Sequence, residues 1–222
     1  METYLIILSL IIALGAQAYI NSTYKKYSRE VSKSGKTGAE VARMILDNNG
    51  LSNVEVQEVS GYLSDHYDPK SKVVRLSTSN YNNNSISAIS VASHECGHAI
   101  QDKENYSFLR FRASIIPLVN FSSYASYVAI LLGFLFESFG LIWIGIIAEL
   151  VILAFQCITL PVEFNASKRA LKELEKYTLL NKDELKKGQK VLTSAALTYV
   201  ASVATAIIEI LRLFLLVSDR RD

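Results

Sequence analysis

The sequence predicts a mainly α-helical membrane protein with three to four transmembrane helices and one small α+β subdomain. Half of the 222 residues are hydrophobic. They are gathered in blocks, and about 20 mostly apolar residues are enough to cross a bilayer as a helix. A polar segment after the first block contains both helical and strand-like patterns. Together these observations predict the fold class.

Four apolar blocks carry the membrane prediction. They occupy residues 4–20, 126–136, 139–162 and 192–217. The first has no charged residue, and only Glu137 and Ser138 separate the second from the third, as in a helical hairpin. The fourth contains Glu209 and Arg212, which one helical turn can pair. We expect this block to span the bilayer, to dock against the other helices or to re-enter the membrane.

The blocks divide the chain into five predicted segments. These are an N-terminal transmembrane helix (1–20), a polar α+β subdomain (21–115), a transmembrane hairpin (116–162), a polar helix (163–191) and a C-terminal apolar helix (192–222). Lysine and arginine are concentrated in 21–43 and 168–190, whereas the turn between the second and third blocks carries only Glu137. The positive-inside rule therefore predicts a multi-pass protein of the cell membrane with both polar segments in the cytoplasm.

Composition also bears on the class of protein. A formal net charge of +2, with no basic patch interleaved with aromatic residues, argues against nucleic acid as a partner. Two cysteines cannot build a disulfide framework and indicate a reducing compartment. Ala16-Gln17-Ala18 has the form of a signal-peptidase site, but the stretch before the block has Glu2 and no basic residue. We therefore expect the first helix to be retained.

The polar segment between the first two blocks predicts the order helix, strand, strand, helix. Thr37-Gly38-Ala39-Glu40 has the form of a capping box and starts a short helix. Residues 53–59 and 72–77 show β-rich patterns, and residues 65–69 between them are typical of a turn. After a break at 81–84, residues 86–101 contain no proline and predict one helix.

This last helix carries the candidate site. His94 and His98 are four residues apart, so their imidazoles lie on one helical face and can converge on a single metal ion. Glu95 lies about 100° around the helix, where a carboxylate can take a proton from water. Cys96 points away from the histidine face, and we expect it to be a small buried residue. The alternative is an ordinary helix with two hydrogen-bonded histidines, because so short a pattern also occurs by chance.

A catalytic zinc site usually has three protein ligands. His66 is the only other histidine, so the third ligand is either His66 or a carboxylate. Glu163 follows the third apolar block, and the membrane hairpin returns it to the face from which the motif helix starts. His2Glu is an established catalytic set, which favours Glu163 as ligand. The alternative is a plain acidic residue at the membrane interface.

The motifs DHYDPKSKVVRLS, SHECGHAIQ and LPVEFNASKRAL together resemble the YugP-type membrane zinc metallopeptidases, which are distantly similar to the HtpX and CAAX prenyl proteases. The resemblance covers nearly the whole chain. It implies a zincin-like subdomain, Zn²⁺ bound by His94, His98 and Glu163, and Glu95 as catalytic base. Related peptidases often place an aspartate four residues after the ligand glutamate. Ser167 stands there in this chain, so Asn165 and Ser167 are candidates to orient a ligand histidine.

The sequence offers alternatives for two further parts of a peptidase site, the oxyanion donor and the strand that binds substrate. His66 and Tyr199 are candidate donors to the oxyanion, although His66 would equally organise a turn and Tyr199 would equally pack in the last helix. One strand is a candidate edge for binding a substrate strand, with an ordinary core strand as the alternative; its residues are Val73, Val74, Arg75, Leu76 and Ser77. Glu149, inside the third block, we interpret as a structural polar contact, with a place in a polar path to the site as the alternative.

The sequence thus predicts a membrane-embedded zinc metallopeptidase that hydrolyses peptide or membrane-protein substrates at the cytoplasmic face of the lipid bilayer. One alternative is an inactive membrane scaffold that binds zinc for stability or binds a partner through its lysine-rich segment, 168–190. The other is a small transporter that uses Glu149 and Glu209. The presence of Glu95 favours the enzyme, because a structural zinc ion needs no base. The sequence predicts neither the oligomeric state nor the bond that is cut.

Overall fold

A computed structural model describes residues 2–219 as seven helices and three strands. The helices and strands are α1 (Glu2–Tyr27), α2 (Gly38–Asn48), β1 (Glu55–Val59), β2 (His66–Asp68), β3 (Val73–Ser77), α3 (Thr78–Tyr81), α4 (Ile86–Lys103), α5 (Ser107–Leu135), α6 (Phe139–Lys176) and α7 (Lys182–Asp219). The predicted class, mostly helical with a small sheet, is confirmed. The chain forms two compact units.

The first unit, here called the helical unit, comprises Met1–Gln17, Arg110–Pro161 and Leu197–Asp222. The four helices that contribute to it, α1, α5, α6 and α7, are long and apolar enough to cross a membrane. The last apolar block is therefore a fourth candidate span among the described residues. Its two charges are paired as expected, since Arg212 Nε lies 2.9 Å from Glu209 Oε2.

Small residues bring α5 and α6 close together in the helical unit. A Cβ atom on Gly133 would lie 2.6 Å from Ile142, and one on Gly145 would lie 2.4 Å from Ile130. Ser126 on α5 donates a hydrogen bond of 2.6 Å to Glu149 on α6. This bond agrees with the interpretation of Glu149 as a polar contact inside the apolar block.

The second unit, here called the mixed unit, comprises Ala18–Leu109 and Val162–Ala196. Its sheet has the order β1-β3-β2, with β1 parallel to β3 and β2 antiparallel to it. The sequence prediction was wrong here in two respects. Residues 66–68, expected within a turn, form β2, and β3 lies in the centre of the sheet.

The central position of β3 rules out the predicted substrate edge. All five residues from Val73 to Ser77 pair with β1, and the first three also pair with β2. Beyond β2, Asp65 accepts the backbone N–H of Ser77 at 2.8 Å. The sequence pattern of β3 could not distinguish an edge strand from a central one. Apolar residues indicate that the faces of a strand are buried, but not which strands pair with its edges.

Helices α2 and α4 build the core of the mixed unit. The predicted capping box of α2 is present, with Glu40 N–H donating to Thr37 Oγ1 at 3.2 Å and Thr37 N–H to Glu40 Oε2 at 2.8 Å. Side chains from both helices and from β3 then form one buried cluster, which includes Val41, Ile45, Leu46, Val74, Leu76, Ile89, Ala92 and Cys96. Helix α4 is thus held rigidly by the core on one side.

Helix α6 passes from the apolar block into the polar segment without a break. The change in composition at residue 163 is not a helix end, since α6 continues to Lys176. The next break is at residues 177–181, where Asn181 Oδ1 accepts the N–H groups of Asp183 and Glu184 at 3.0 Å and begins α7. Capping residues determine where a helix ends, whereas a change from apolar to polar composition reports only a change in what surrounds the helix.

Helices α4 and α6 approach closely at Gly97. A Cβ atom there would lie 2.5 Å from the carbonyl oxygen of Ala166. Any side chain at residue 97 would therefore separate the two helices. Glycine at this position allows their backbones to touch.

We expect Gly97→Ala to lower the thermal stability of the protein. In an open helical position alanine is favoured over glycine by about 1 kcal/mol, but here the clash with Ala166 outweighs that gain. Gly15→Ala is the matched control, because nothing lies within 4 Å of a Cβ atom at Gly15 in α1. Thermal unfolding of both variants in detergent measures the difference, and equal melting temperatures would contradict the close contact.

Candidate metal centre

Three potential ligand atoms converge where α4 faces α6. His94 Nε2 lies 3.2 Å from His98 Nε2 and 3.2 Å from Glu163 Oε2, and His98 Nε2 lies 3.6 Å from the same oxygen. All three side chains are largely shielded, with exposed fractions of 15%, 12% and 4% for His94, His98 and Glu163. In the described part of the chain these residues form a group that can hold a metal ion.

The spacing of these atoms suits a small tetrahedral cation. Ligands about 2.0–2.1 Å from zinc in tetrahedral geometry are separated from one another by about 3.3–3.4 Å. The observed separations of 3.2, 3.2 and 3.6 Å bracket that value. Two imidazole nitrogens and one carboxylate oxygen are also the donor set that zinc accepts. The residues therefore fit the metal.

Gln101 determines which nitrogen of His98 faces the centre. Its amide nitrogen donates to the backbone oxygen of Val162 at 2.8 Å and to Asn165 Oδ1 at 3.0 Å. The amide oxygen therefore faces His98 Nδ1, at 3.0 Å. Because this oxygen can only accept, Nδ1 carries the proton and Nε2 of the neutral ring offers its lone pair to the centre.

Ser167 holds the other histidine. Its hydroxyl oxygen lies 3.2 Å from His94 Nδ1, so hydrogen bonding to Nδ1 leaves Nε2 directed at the centre. Ser167 thus contacts the histidine where related peptidases use an aspartate. Asn165, the other candidate, instead accepts a hydrogen bond from Gln101 at 3.0 Å and one from Arg169 at 2.6 Å.

Glu95 is buried beside the ligands. Its exposed fraction is 7%, and no described residue donates a hydrogen bond to its carboxylate. Burial raises the pKa of Glu95 above its ordinary value, against the opposing charges of His94 and His98. A shielded carboxylate with a raised pKa is typical of a group that receives a proton during a reaction.

The remaining candidates lie elsewhere. Cys96 is fully buried and packs against the Ala42 carbonyl, as expected, and burial raises the pKa of its thiol. His66 is exposed at the start of β2, where its Nδ1 lies 2.8 Å from Ser64 O. This position agrees with the alternative that His66 organises the loop. Tyr199 belongs to α7 in the helical unit and stays a prediction.

Sequence reasoning missed Gln101 and Asp65. Gln101 has no exposed surface, and the available signal was a polar residue three positions after His98 on an otherwise buried helix. Asp65 accepts from Ser77 and from Asn80 Nδ2 at 2.9 Å, and its charge reaches Glu95. It fixes the start of β2, an element that the sequence pattern did not predict.

Comparison with known proteins agrees with this geometry. Residues 3–218 match the model of a family described as "Putative neutral zinc metallopeptidase". The chain belongs to this family. It is also 47% identical over 219 residues to "Putative membrane protease YugP" of Bacillus subtilis (strain 168), across 99% of this chain and 97% of that protein. No solved structure matches the chain. The resemblance drawn from the motifs is confirmed, and membership of the family implies zinc.

We expect Gln101→Ala to weaken zinc binding by about 10- to 100-fold, because His98 loses the partner that directs its Nε2 at the centre. Gln57→Ala is the matched control, since Gln57 lies on β1 and its amide contacts only Glu55 in the described structure. Competition with a chromogenic chelator measures both affinities. Unchanged affinity in Gln101→Ala would contradict the positioning role.

Proposed function

We propose that this protein is a membrane-embedded zinc-dependent peptidase that hydrolyses peptide bonds of protein or peptide substrates. The observation that carries the proposal is the convergence of His94, His98 and Glu163 next to a buried Glu95. A structural metal site usually closes its coordination with four protein ligands and needs no nearby base. Three ligands with a free carboxylate beside them are typical of a hydrolytic site.

His94, His98 and Glu163 would hold the zinc ion. Zinc at such a site supplies a Lewis acid that acidifies water and polarises a carbonyl group. Gln101 and Ser167 keep the two imidazoles in the orientation that binding requires. Because these supports come from both α4 and α6, the ligand set is positioned before any metal arrives.

Glu95 would act as the general base and then as the general acid. Its carboxylate accepts the proton of the attacking water and later delivers it to the nitrogen of the leaving amine. No described residue donates a hydrogen bond to this carboxylate, so it is free to make both transfers. For the donor that holds the oxyanion, His66 and Tyr199 stay the candidates that the sequence offers, and Nδ1 of His66 is engaged by its own loop.

The active site would face the cytoplasm. The mixed unit contains both basic segments, 21–43 and 168–190, whereas the turn between α5 and α6 carries only Glu137. The positive-inside rule favours the orientation that keeps lysine and arginine in the cytoplasm. Proteins of the cytoplasm, or membrane proteins exposed on that side, are the substrates that this orientation allows.

We expect purified wild-type protein to contain one zinc ion per chain and Glu163→Gln to contain markedly less. Glu175→Gln is the matched control, because Glu175 is an exposed glutamate on the same helix. Elemental analysis of detergent-purified protein measures zinc content. Full zinc content in Glu163→Gln would exclude Glu163 as a ligand.

We expect Glu95→Gln to keep its zinc but lose peptidase activity by about 10²- to 10⁴-fold, the usual contribution of a positioned general base. Cleavage of a quenched fluorescent peptide library in mixed micelles measures activity. A zinc-loaded wild-type protein that cleaves no more than Glu95→Gln would instead favour the inactive scaffold.

The orientation of the protein in the membrane can be tested separately by cysteine labelling. In a Cys157→Ser background we expect Glu137→Cys to react with a membrane-impermeant maleimide on intact cells. Lys70→Cys, on an exposed loop of the mixed unit, should react only after permeabilisation. Cys96 is buried and should not contribute to labelling. The opposite labelling pattern would place the site outside.

A further inference from the structure

A groove with polar walls runs through the helical unit, apart from the metal centre. Its main part has a volume of about 480 Å³ between α1, α6 and α7. A second pocket of about 170 Å³ shares Ala13, Ser202 and Thr205 with the first and extends it to Thr198. From Thr198 to Glu209 the groove follows α7 for about 16 Å.

Several polar atoms along this groove are hydrogen-bond acceptors. The Ser9 hydroxyl donates a hydrogen bond to Ile6 O at 2.8 Å, and the hydroxyls of Ser202 and Thr205 donate to backbone carbonyls of α7 at 3.0 Å. Their oxygens therefore present only lone pairs to the groove. Gln156 Oε1 is buried and receives no hydrogen bond in the described structure.

The groove also contains one carboxylate that lacks a counter-ion. Glu209 is neutralised by Arg212, but Glu149 receives only the hydroxyl hydrogen bond of Ser126. No described lysine or arginine forms an ion pair with Glu149. It lies about 15 Å along α6 from Phe139, which is half of the roughly 30 Å hydrocarbon core. Intramembrane acids of this kind are normally paired.

Small residues line the walls of the groove and leave room for another helix. Ala13 and Ala16 on α1 and Ala201, Ser202 and Ala206 on α7 are small, and small residues allow helix backbones to approach closely in a membrane. Within the helical unit α1 buries no described residue. Ile6 and Leu10 on the rim are 48% and 54% exposed. The groove is therefore accessible from the side of the helices.

We propose that this groove binds a transmembrane helix of another protein that carries a basic side chain near the middle of the bilayer. The small walls accommodate the helix, and its ammonium or guanidinium group pairs with Glu149. A groove with an uncompensated carboxylate selects a cationic donor over a purely apolar segment. The binding site is independent of the peptidase chemistry.

The test uses two synthetic transmembrane peptides that differ only in a central lysine or leucine. The protein carries a donor fluorophore on Ser138→Cys in a Cys157→Ser background, and energy transfer to acceptor-labelled peptide is measured in lipid nanodiscs. We expect the lysine peptide to bind roughly tenfold more tightly than the leucine peptide. Glu149→Gln should remove the preference, and Glu137→Gln, an acid in the α5–α6 turn, should retain it.

A second variant keeps the result decisive if Glu149→Gln folds poorly. Ser202→Leu fills the groove and should abolish binding of the lysine peptide without altering Glu149. Equal binding of the two peptides by wild-type protein would overturn the proposal, as would a lysine preference that survives Glu149→Gln. Energy transfer between two labelled copies of the chain that Ser202→Leu abolishes would also overturn it, because a second copy would then be the occupant.

Discussion

The contact between α4 and α6 at Gly97 is the constraint on which the metal centre depends. Two ligands, the base and Gln101 lie on α4, whereas the third ligand and Ser167 lie on α6. His94 Nε2 and Glu163 Oε2 meet at 3.2 Å across this close approach of the two backbones. A glycine whose missing Cβ would lie 2.5 Å from Ala166 O makes that approach possible.

The centre is also an arrangement that suits a cation. Two imidazole nitrogens and a carboxylate oxygen lie within 3.6 Å of one another, and Gln101 keeps the N–H of the neutral His98 on the side away from them. A divalent ion bound by all three residues would link α4 to α6, so metal binding would stabilise the contact between the two helices.

Much of this could be predicted from the sequence because the decisive patterns are local. Capping residues, apolar blocks and the four-residue spacing of His94 and His98 each act within one helix, and Glu163 was within reach because a hairpin must return to its starting side. The centre's supports were harder to predict. Gln101 acts through Val162 and Asn165, which are more than 60 residues away, and β2 is a three-residue strand that exists only because β3 and Asp65 hold it. Such contacts depend on tertiary packing, which no periodicity encodes.

The most direct test of the proposed metal centre is the zinc K-edge X-ray absorption spectrum of the detergent-purified, zinc-loaded protein. A centre made of His94, His98 and Glu163 predicts a first shell of nitrogen and oxygen only, with bonds of about 2.0–2.1 Å and the outer-shell scattering of two imidazoles. Glu163→Gln should change the oxygen part of that shell and leave both imidazoles. A sulfur scatterer at about 2.3 Å, which would place Cys96 or Cys157 on the metal, or fewer than two imidazoles, would contradict the proposed centre.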